Sequence, residues 1–306
     1  MNRVVLRTVL AVAALAIAGG VLWFLFDPVV GWLGGADLDR LDVKDRIAAV
    51  GTIRGQVATV LSAAFVAGGL YYTGRKFVLD RDKQYTDRFT NAVDQLGSTD
   101  VTVRAGGLRA LDRILHDSPR DRDRVLRTVT GYLRAHPVTD AIPDDVVAAL
   151  ATLRDRAKPP RGQRDVLDLR GITLPRADLT GFDLRDADLT GGDLTGTVLR
   201  DADLRGARMN RTTVREADLT GAKLAGVFAV KAVLAHSTIH EADLEGSDLT
   251  DADLSECDLS DARLDGAVLV NTALDGADLR TARGLTEDQL RRTRRSAATS
   301  LPPDLG

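Results

Sequence analysis

Ala177-Asp178-Leu179-Thr180-Gly181, Ala187-Asp188-Leu189-Thr190-Gly191 and Ala252-Asp253-Leu254-Ser255-Glu256 are three statements of one five-residue phrase that fills residues 167–282 without an insertion or deletion. Steps of five from Leu169 to Leu279 meet 23 central positions, of which 19 are Leu and the others Met209, Val214, Ala229 and Ile239. Two residues before each centre stands a mostly small residue, such as Ala202, Ala217, Ser247 or Thr272. Five residues turn an α-helix by about 500°, so the leucines would wind around the rod and leave no stripe. On a straight strand an odd step sends successive leucines to opposite faces. The chain must therefore turn a corner every five residues, with the centre and the residue two before it pointing inward and the residue between them outward. Leu179, Leu189, Leu204, Met209, Leu219, Ala229, Leu244, Leu254 and Leu264 are thus core positions, and the outward residue is usually Asp.

At these residues the sequence resembles the pentapeptide-repeat family, whose consensus is Ala-Asp/Asn-Leu-x-x. The resemblance implies that four repeats close one square turn of a right-handed quadrilateral β-helix. With coils about 4.8 Å apart, the array would make just under six coils and a rod of roughly 28 Å.

Charge is unevenly placed along the 306 residues, whose net is only -3. Residues 165–283 hold 23 acids and 13 bases, and 241–278 alone hold 12 acids against one base, Arg263. Glu241, Asp243, Glu245, Asp248, Asp251, Asp253, Glu256, Asp258, Asp261 and Asp265 form a candidate acidic surface. The one cysteine, Cys257, falls on an inward position and reads as a small apolar filler. Lysine is rare and arginine common, which suits the coding bias of a GC-rich bacterium.

Two apolar runs precede the array. Residues 8–26 are uncharged, long enough to cross a hydrocarbon core, preceded by Arg3 and Arg7 and followed by Trp32. A cleaved leader with Ala14-Leu15-Ala16 as its cleavage pattern is the alternative. The run between Arg54 and Arg75 ends on Tyr71-Tyr72 and Arg75-Lys76, as an interfacial anchor would. Together they predict a transmembrane hairpin over 1–76, with helices at about 8–26 and 55–73. Seven bases on the outer flanks against four in the connecting loop place both termini in the cytoplasm, the protein being multi-pass in the inner membrane.

Residues 77–157 read as amphipathic helices. Phe89, Ala92, Val93 and Leu96 share a face stopped by Gly97; a second helix follows Asp100; Ser118-Pro119 opens a third; a fourth spans 143–156. The block resembles the helical segment that accompanies pentapeptide repeats in bacterial membrane proteins, and its helix pairs are similar to a HEAT-type unit. Its arginines, Arg104 and Arg122 among them, alternate with acids and read as a solvated surface. Residues 158–164 form a linker, 165–283 the repeat array, and 284–306 a C-terminal element in which Thr286-Glu287-Asp288-Gln289 is a capping box and the tail from 296 is loosely packed. The expected fold class is α+β multidomain.

His116, His136, His236 and His240 show no metal-ligand spacing, and no phosphate loop or nucleophile elbow is present. No cofactor or metal is implied, and the carboxylates recur by the repeat rule. The reading is a non-enzymatic scaffold held at the lipid bilayer, with an unidentified protein partner or a second copy docking on the rod. Ala229 is a break in the centres, into whose space Met209 would lean. Phe228, Val230, Val268 and Val270, outside the same wall, are the candidate partner patch. Nucleic acid is disfavoured. Some pentapeptide-repeat proteins mimic DNA and inhibit a type II topoisomerase such as gyrase, which makes the acidic stretch the basis of an alternative.

Overall fold

A computed structural model describes residues 19, 31–33, 35, 40–155 and 166–305, the side chains at 57, 61 and 78–83 excepted. The chain falls into two compact units, Met1–Lys83 and Gln84–Gly306. The first α-helix whose bounds lie among the described residues, α1, is Val43–Leu96, 54 residues long. Its segment Val43–Phe77, 35 residues, contains an 18-residue window of mean hydropathy 1.3; by length and composition the helix is long and apolar enough to cross a membrane, and none of that window is buried. Within it Thr52 and Thr59 donate to the carbonyls of Ala48 and Gly55, which satisfies their hydroxyls inside the helix. The expected span 55–73 lies inside this element, but its ends differ. Residues 43–54, expected in a loop, are helical, and the helix passes through Arg75-Lys76. Hydropathy marks where a helix is apolar, whereas Asp45 in the first turn and an uninterrupted run of permissive residues decide where it forms. The expected helix 8–26, and with it the hairpin, lies outside the described residues apart from Gly19.

In the second unit the end of α1 is followed by α2 (Val101–Asp117), α3 (Arg122–Ala135) and α4 (Asp144–Arg154). Asp100 caps α2, accepting from the Thr102 amide at 2.7 Å. Gly107 lets α2 approach α1: a Cβ there would lie 2.7 Å from the Ala92 carbonyl oxygen. Phe89 and Ala92 are buried, as their spacing predicts, together with Leu108, Leu111, Val125, Val129, Leu133 and Ala149. Ser118 does not open α3; it closes α2, its amide donating to Ile114 and its hydroxyl to Asp121, so that α3 starts at Arg122. The hydroxyl donates to an acceptor within the turn instead of accepting from an amide of the following helix.

Arg104 is not on a solvated surface. Its Nε donates to Asp145 Oδ2 at 2.7 Å and to the Tyr132 hydroxyl at 2.9 Å, while Nη1 reaches the Ser98 and Thr99 carbonyls. Asp145, 1% exposed, also accepts from Tyr132 and from the Val146 amide. Burial pushes Asp145 upward, yet the bonds from Tyr132, Arg104 and Val146 outweigh it and hold the carboxyl below its usual range. Burial and the same carboxylate push the Tyr132 hydroxyl up to about 12. This network ties α2, α3 and α4 at one point. Arg122 is buried as well. Charge alternation located the arginines without separating the two that face inward.

The array then coils with a strict 20-residue register. Parallel bridges link Asp168 to Asp188, Asp188 to Arg208, Arg208 to Phe228, and so on to Arg263 and Arg283. Four pentads therefore close each coil, and each wall contributes a single bridging residue; no longer strand forms among the described residues. Leu169 donates to the Asp188 carbonyl at 2.8 Å, the Asp188 amide to Leu167 at 2.9 Å, and Ile172 back to Leu169 across the corner. Every corner from 171 to 276 has positive φ: ten are Gly and twelve are other residues, such as Glu216 (54°) and Lys231 (59°). The central residues Leu179, Leu189, Leu204, Met209, Leu219, Ala229, Leu244, Leu254 and Leu264 are all buried.

Both ends of the coil are covered. Leu133, Leu150 and Leu153 from α3 and α4 share one apolar interior with Leu169, Ile172, Leu174, Leu179 and Phe182. Val138 donates to the Thr173 carbonyl, Arg134 pairs with Asp168 at 2.7 Å, and Arg154 lies over the Phe182 ring. At the far end the capping box forms as its residues predict, opening α5 (Glu287–Arg291), and Gln289 Nε2 donates to the Leu264 and Ala267 carbonyls. The tail is not loose. Arg294 bridges Ala273, Ser300 bridges Asp278, and the Thr299 hydroxyl donates to Leu274, so the tail occupies the exposed edge of the last coil.

Inward hydroxyls mostly share one recurring bond, Thr197 instead donating to the Leu194 carbonyl three residues back. Thr212 donates to Leu189, Ser237 to Val214 and Thr272 to Leu249, each 23 residues back, and Cys257 Sγ approaches Leu234 in the same way. The Ser247 hydroxyl is fully buried and has no hydrogen-bond partner among the described residues. Replacing Ser247 with Ala should leave stability unchanged or raise it by up to about 1 kcal/mol, whereas Thr272→Ala should lower it by about 1 kcal/mol, as measured by denaturant melts. Asp145→Ala, which strands Arg104, should cost about 3 to 5 kcal/mol in the same measurement.

Candidate functional site

The register sorts the outward residues onto four walls. Wall 1 carries the centres 169, 189, 209, 229, 249 and 269, and walls 2, 3 and 4 carry those starting at 174, 179 and 184. On wall 1 the residues before the centres stack as Arg208, Phe228, Asp248 and Val268 through consecutive bridges. Those after the centres are Asn210, Val230, Thr250 and Val270, and the Val230 amide donates to Asn210 Oδ1 at 2.9 Å. Phe228 is 49% exposed, Val268 43% and Val270 38%, while Val230 is half-buried. The four candidate patch residues are thus on one wall, as their spacing predicts, but in two pairs. Asp248 and Thr250 stand between them, the Asp248 carboxylate accepting from the Thr250 amide and hydroxyl. Met209 and Ala229 are both buried centres of this wall in successive coils.

The acidic stretch does not make one surface. Asp248 and Asp251 belong to wall 1 and its corner, Asp253 and Glu256 to wall 2, Asp258, Asp261 and Glu241 to wall 3, and Asp243, Glu245 and Asp265 to wall 4. Thirty-odd residues span nearly two turns, so a cluster in sequence becomes a belt in space. Several members are matched: Arg263 pairs with Glu245 at 3.1 Å and Asp265 at 2.9 Å, His236 lies 3.0 Å from Glu256, His240 lies 3.4 Å from Glu241, and Arg283 lies 3.5 Å from Asp261.

The outward Asp has a structural use that periodicity alone did not disclose. Its Oδ1 accepts from the amide two residues on, as in Asp178–Thr180 at 2.9 Å, Asp193–Thr195 at 3.0 Å and Asp253–Ser255 at 3.0 Å. This side-chain turn leads the chain into the left-handed corner. Where Arg follows, it clamps the same carboxylate in a fork: Arg170 on Asp168, Arg185 on Asp183, Arg205 on Asp203 and Arg280 on Asp278. The Arg205 guanidinium holds Asp203, and Arg280 holds Asp278, below the usual carboxylate range; the Thr180 hydroxyl and amide do so for Asp178.

Against this pattern the side chains of Arg208, Arg211 and Lys231 make no hydrogen bond or ion pair among the described residues. They sit on wall 1 and its corner, Arg208 one coil from Phe228. Sequence reading missed them, although the signal was present: Arg208 takes the place usually held by Asp.

Residues 168–283 match the family described as pentapeptide repeats, in eight copies over 168–201, 183–221, 215–251 and 247–283, and this part of the chain is a pentapeptide-repeat array. Among solved structures, a pentapeptide repeat protein of the Arabidopsis thaliana thylakoid lumen is 21% identical, over 40% of this chain and 88% of that one, with a TM-score of 0.35. Another, from Nostoc Pcc 7120, is 26% identical over 43% and 86%, with a TM-score of 0.18. Full-length QnrB1, a plasmid-mediated fluoroquinolone resistance protein, is 14% identical over 42% and 74%, with a TM-score of 0.19. These likenesses say nothing of activity. No curated protein matches the chain.

Because Asp178, Asp203 and Asp278 titrate below their unfolded value of 3.8, the stability they contribute is complete above that pH and is lost as pH falls through the lowered folded values. The melting temperature should therefore hold from pH 7 to about 5 and fall steeply below about 4, less steeply in Asp203→Asn. A melting temperature that is level down to pH 2.5 would contradict this role.

Proposed function

We propose that the chain is a non-enzymatic scaffold, multi-pass in an inner membrane with both termini cytoplasmic, that presents its pentapeptide-repeat rod to a protein partner. The observation that carries the reading is the Val43–Phe77 segment of α1, apolar over a membrane's thickness and unburied by any other part of the described chain. A soluble protein would cover such a surface. The array's own chemistry supports the interaction role. Its carboxylates turn corners and hold arginines, and its inward hydroxyls bond to backbone, whereas on wall 1 and its corner the Arg208, Arg211 and Lys231 side chains and the exposed Phe228, Val268 and Val270 are not so engaged. The four patch residues and the free bases meet there.

A DNA-mimicking modulator of a type II topoisomerase, gyrase, fits this geometry less well. Such a role calls for a continuous anionic wall, and here the acids circle the coil while wall 1 is interrupted by Arg208, Arg211 and Lys231.

In fractionated cells the full chain should stay with membranes through an alkaline carbonate wash, and Val60→Asp with Val66→Asp, inside the apolar segment, should release it. Recovery of the unaltered chain in the soluble fraction would end the membrane reading. Gyrase supercoiling should be unchanged by the purified chain, and its inhibition at stoichiometric concentration would favour the alternative.

A further inference from the structure

The arginines that follow a centre in the array obey a rule, with one exception. Arg170, Arg185, Arg205 and Arg280 each grip the Asp two residues back, and Arg200, which has Val198 there, grips Asp218 one coil on. Arg215 has neither carboxylate: the place two residues back is Thr213, and the place one coil on is Val233. It is half-buried, and its side chain makes no hydrogen bond or ion pair among the described residues. Beside it, Arg211 and Lys231 occupy the corner between walls 1 and 2 in successive coils, and Arg208 stands on wall 1. The carboxylates of the neighbouring coils are already in use. Asp188, bridged to Arg208, accepts from the Thr190 amide and lies 4.0 Å from Arg170; Asp248 accepts from Thr250; Asp251, one coil beyond Lys231, accepts from the Asn271 side chain. Arg208, Arg211, Arg215 and Lys231 therefore form a strip of like charge without a counter-charge among the described residues, and such a strip attracts anions.

The outline of the strip selects among anions. Along the rod it is two coils tall, about 10 Å, with Asp188 and Asp193 in the coil before it and Asp248, Asp251 and Asp253 in the coil after it; around the rod it ends at Glu216 on the next corner. A nucleic-acid duplex lying along the rod, or a flat acidic lipid surface, would press its own charge against those carboxylates. A short extended chain that crosses from wall 1 to wall 2 meets only the bases. Among them it also meets Phe228, 49% exposed and bridged to Arg208, and the half-buried Val230 and Val233. About six extended residues, at roughly 3.3 Å each, reach from Arg208 round the corner to Arg215. We propose that Arg208, Arg211, Arg215 and Lys231 bind a short, extended, acidic segment of the protein partner, its carboxylates on the bases and an apolar side chain on Phe228 and Val230. This rests on the reading of wall 1 as a binding surface, and states the chemistry of what the surface binds.

Carboxylates suit the site because guanidinium forks on carboxylates are the pairing this coil uses throughout, and Arg215 is such a fork left open. Most of the pairs form at exposed positions, so the segment binds weakly and the binding is salt-sensitive.

The bases can be reversed without disturbing the fold. Glu216, Glu241 and Glu256 already stand at left-handed corners with φ of 54°, 56° and 57°, so Arg211→Glu with Lys231→Glu should leave the melting temperature unchanged. The full chain in detergent, titrated with a fluorescent Glu-Leu-Glu-Phe-Glu-Glu peptide, should raise the peptide's anisotropy, with an affinity that falls several-fold between about 50 and 500 mM salt. The double variant should bind it about tenfold more weakly. Arg280→Glu should bind it as the unaltered chain does, since Arg280 is held by Asp278 outside the strip. No binding of the peptide, equal binding by the double variant, or tighter binding of a short oligothymidylate overturns the proposal. A photo-crosslinker at position 230 in native membranes separates it from the reading beneath it. Adducts with another protein that the double variant loses, and that the peptide competes away, support the acidic segment. Adducts that persist in the double variant, or that form only between copies, leave wall 1 a binding surface and remove the acidic segment; no adduct of any kind removes both.

Discussion

The array depends on one backbone constraint: a left-handed residue at every fifth position. That corner redirects the chain through a quarter turn, and only when it recurs without a slip do residues 20 apart come into register, so that bridges such as Asp188–Arg208 and Arg208–Phe228 stack in line. The inward pair of each pentad, mostly a small residue and a leucine, fills the bore, with Met209, Val214 and Ile239 also accommodated as centres. Twelve of the 22 corners carry a residue that pays for this conformation with strain, and neighbouring coils must over-determine it. The outward Asp contributes by capping the amide that leads into the corner, and for this reason the consensus asks for a carboxylate or its amide and not merely for a polar group.

A coil of this kind has two open ends, and both are closed by unlike structure. At the start, α3 and α4 place leucines over the first coil while Arg134 and Arg154 reach its rim. At the finish, Gln289 occupies two carbonyls of the last coil and the tail adds bridges at Arg294 and Ser300. The helical region and the array therefore share one continuous core within the second unit. The buried Arg104–Tyr132–Asp145 network fits this role, since it fixes the three helices relative to one another before they meet the coil.

Because so much of the polar chemistry is used in holding the coil, function has to be sought where the rule is broken. Arg208 in an Asp position, Phe228 and Val230 in polar positions, and Lys231 and Asp251 at successive corners all lie on one wall. The side chains of Arg208 and Lys231 hold no partner among the described residues and stand beside the exposed Phe228, while Asp251 accepts from Asn271 one coil on.

The sequence by itself determined the period, the inward and outward positions, the corner at every fifth residue and the wall shared by Phe228, Val230, Val268 and Val270, because each of these follows from local geometry repeated without interruption. The helical faces around Phe89 and Leu108 and the capping box at Thr286 were legible for the same reason. Only the tertiary structure decided that the acids of 241–278 form a belt, that Arg104 and Arg122 turn inward, that α1 begins at Val43, and that the helices and the tail close the two ends of the coil. Those outcomes depend on which residues meet across a turn or between elements, and a pattern of hydrophobicity records which side of an element is buried without recording what buries it.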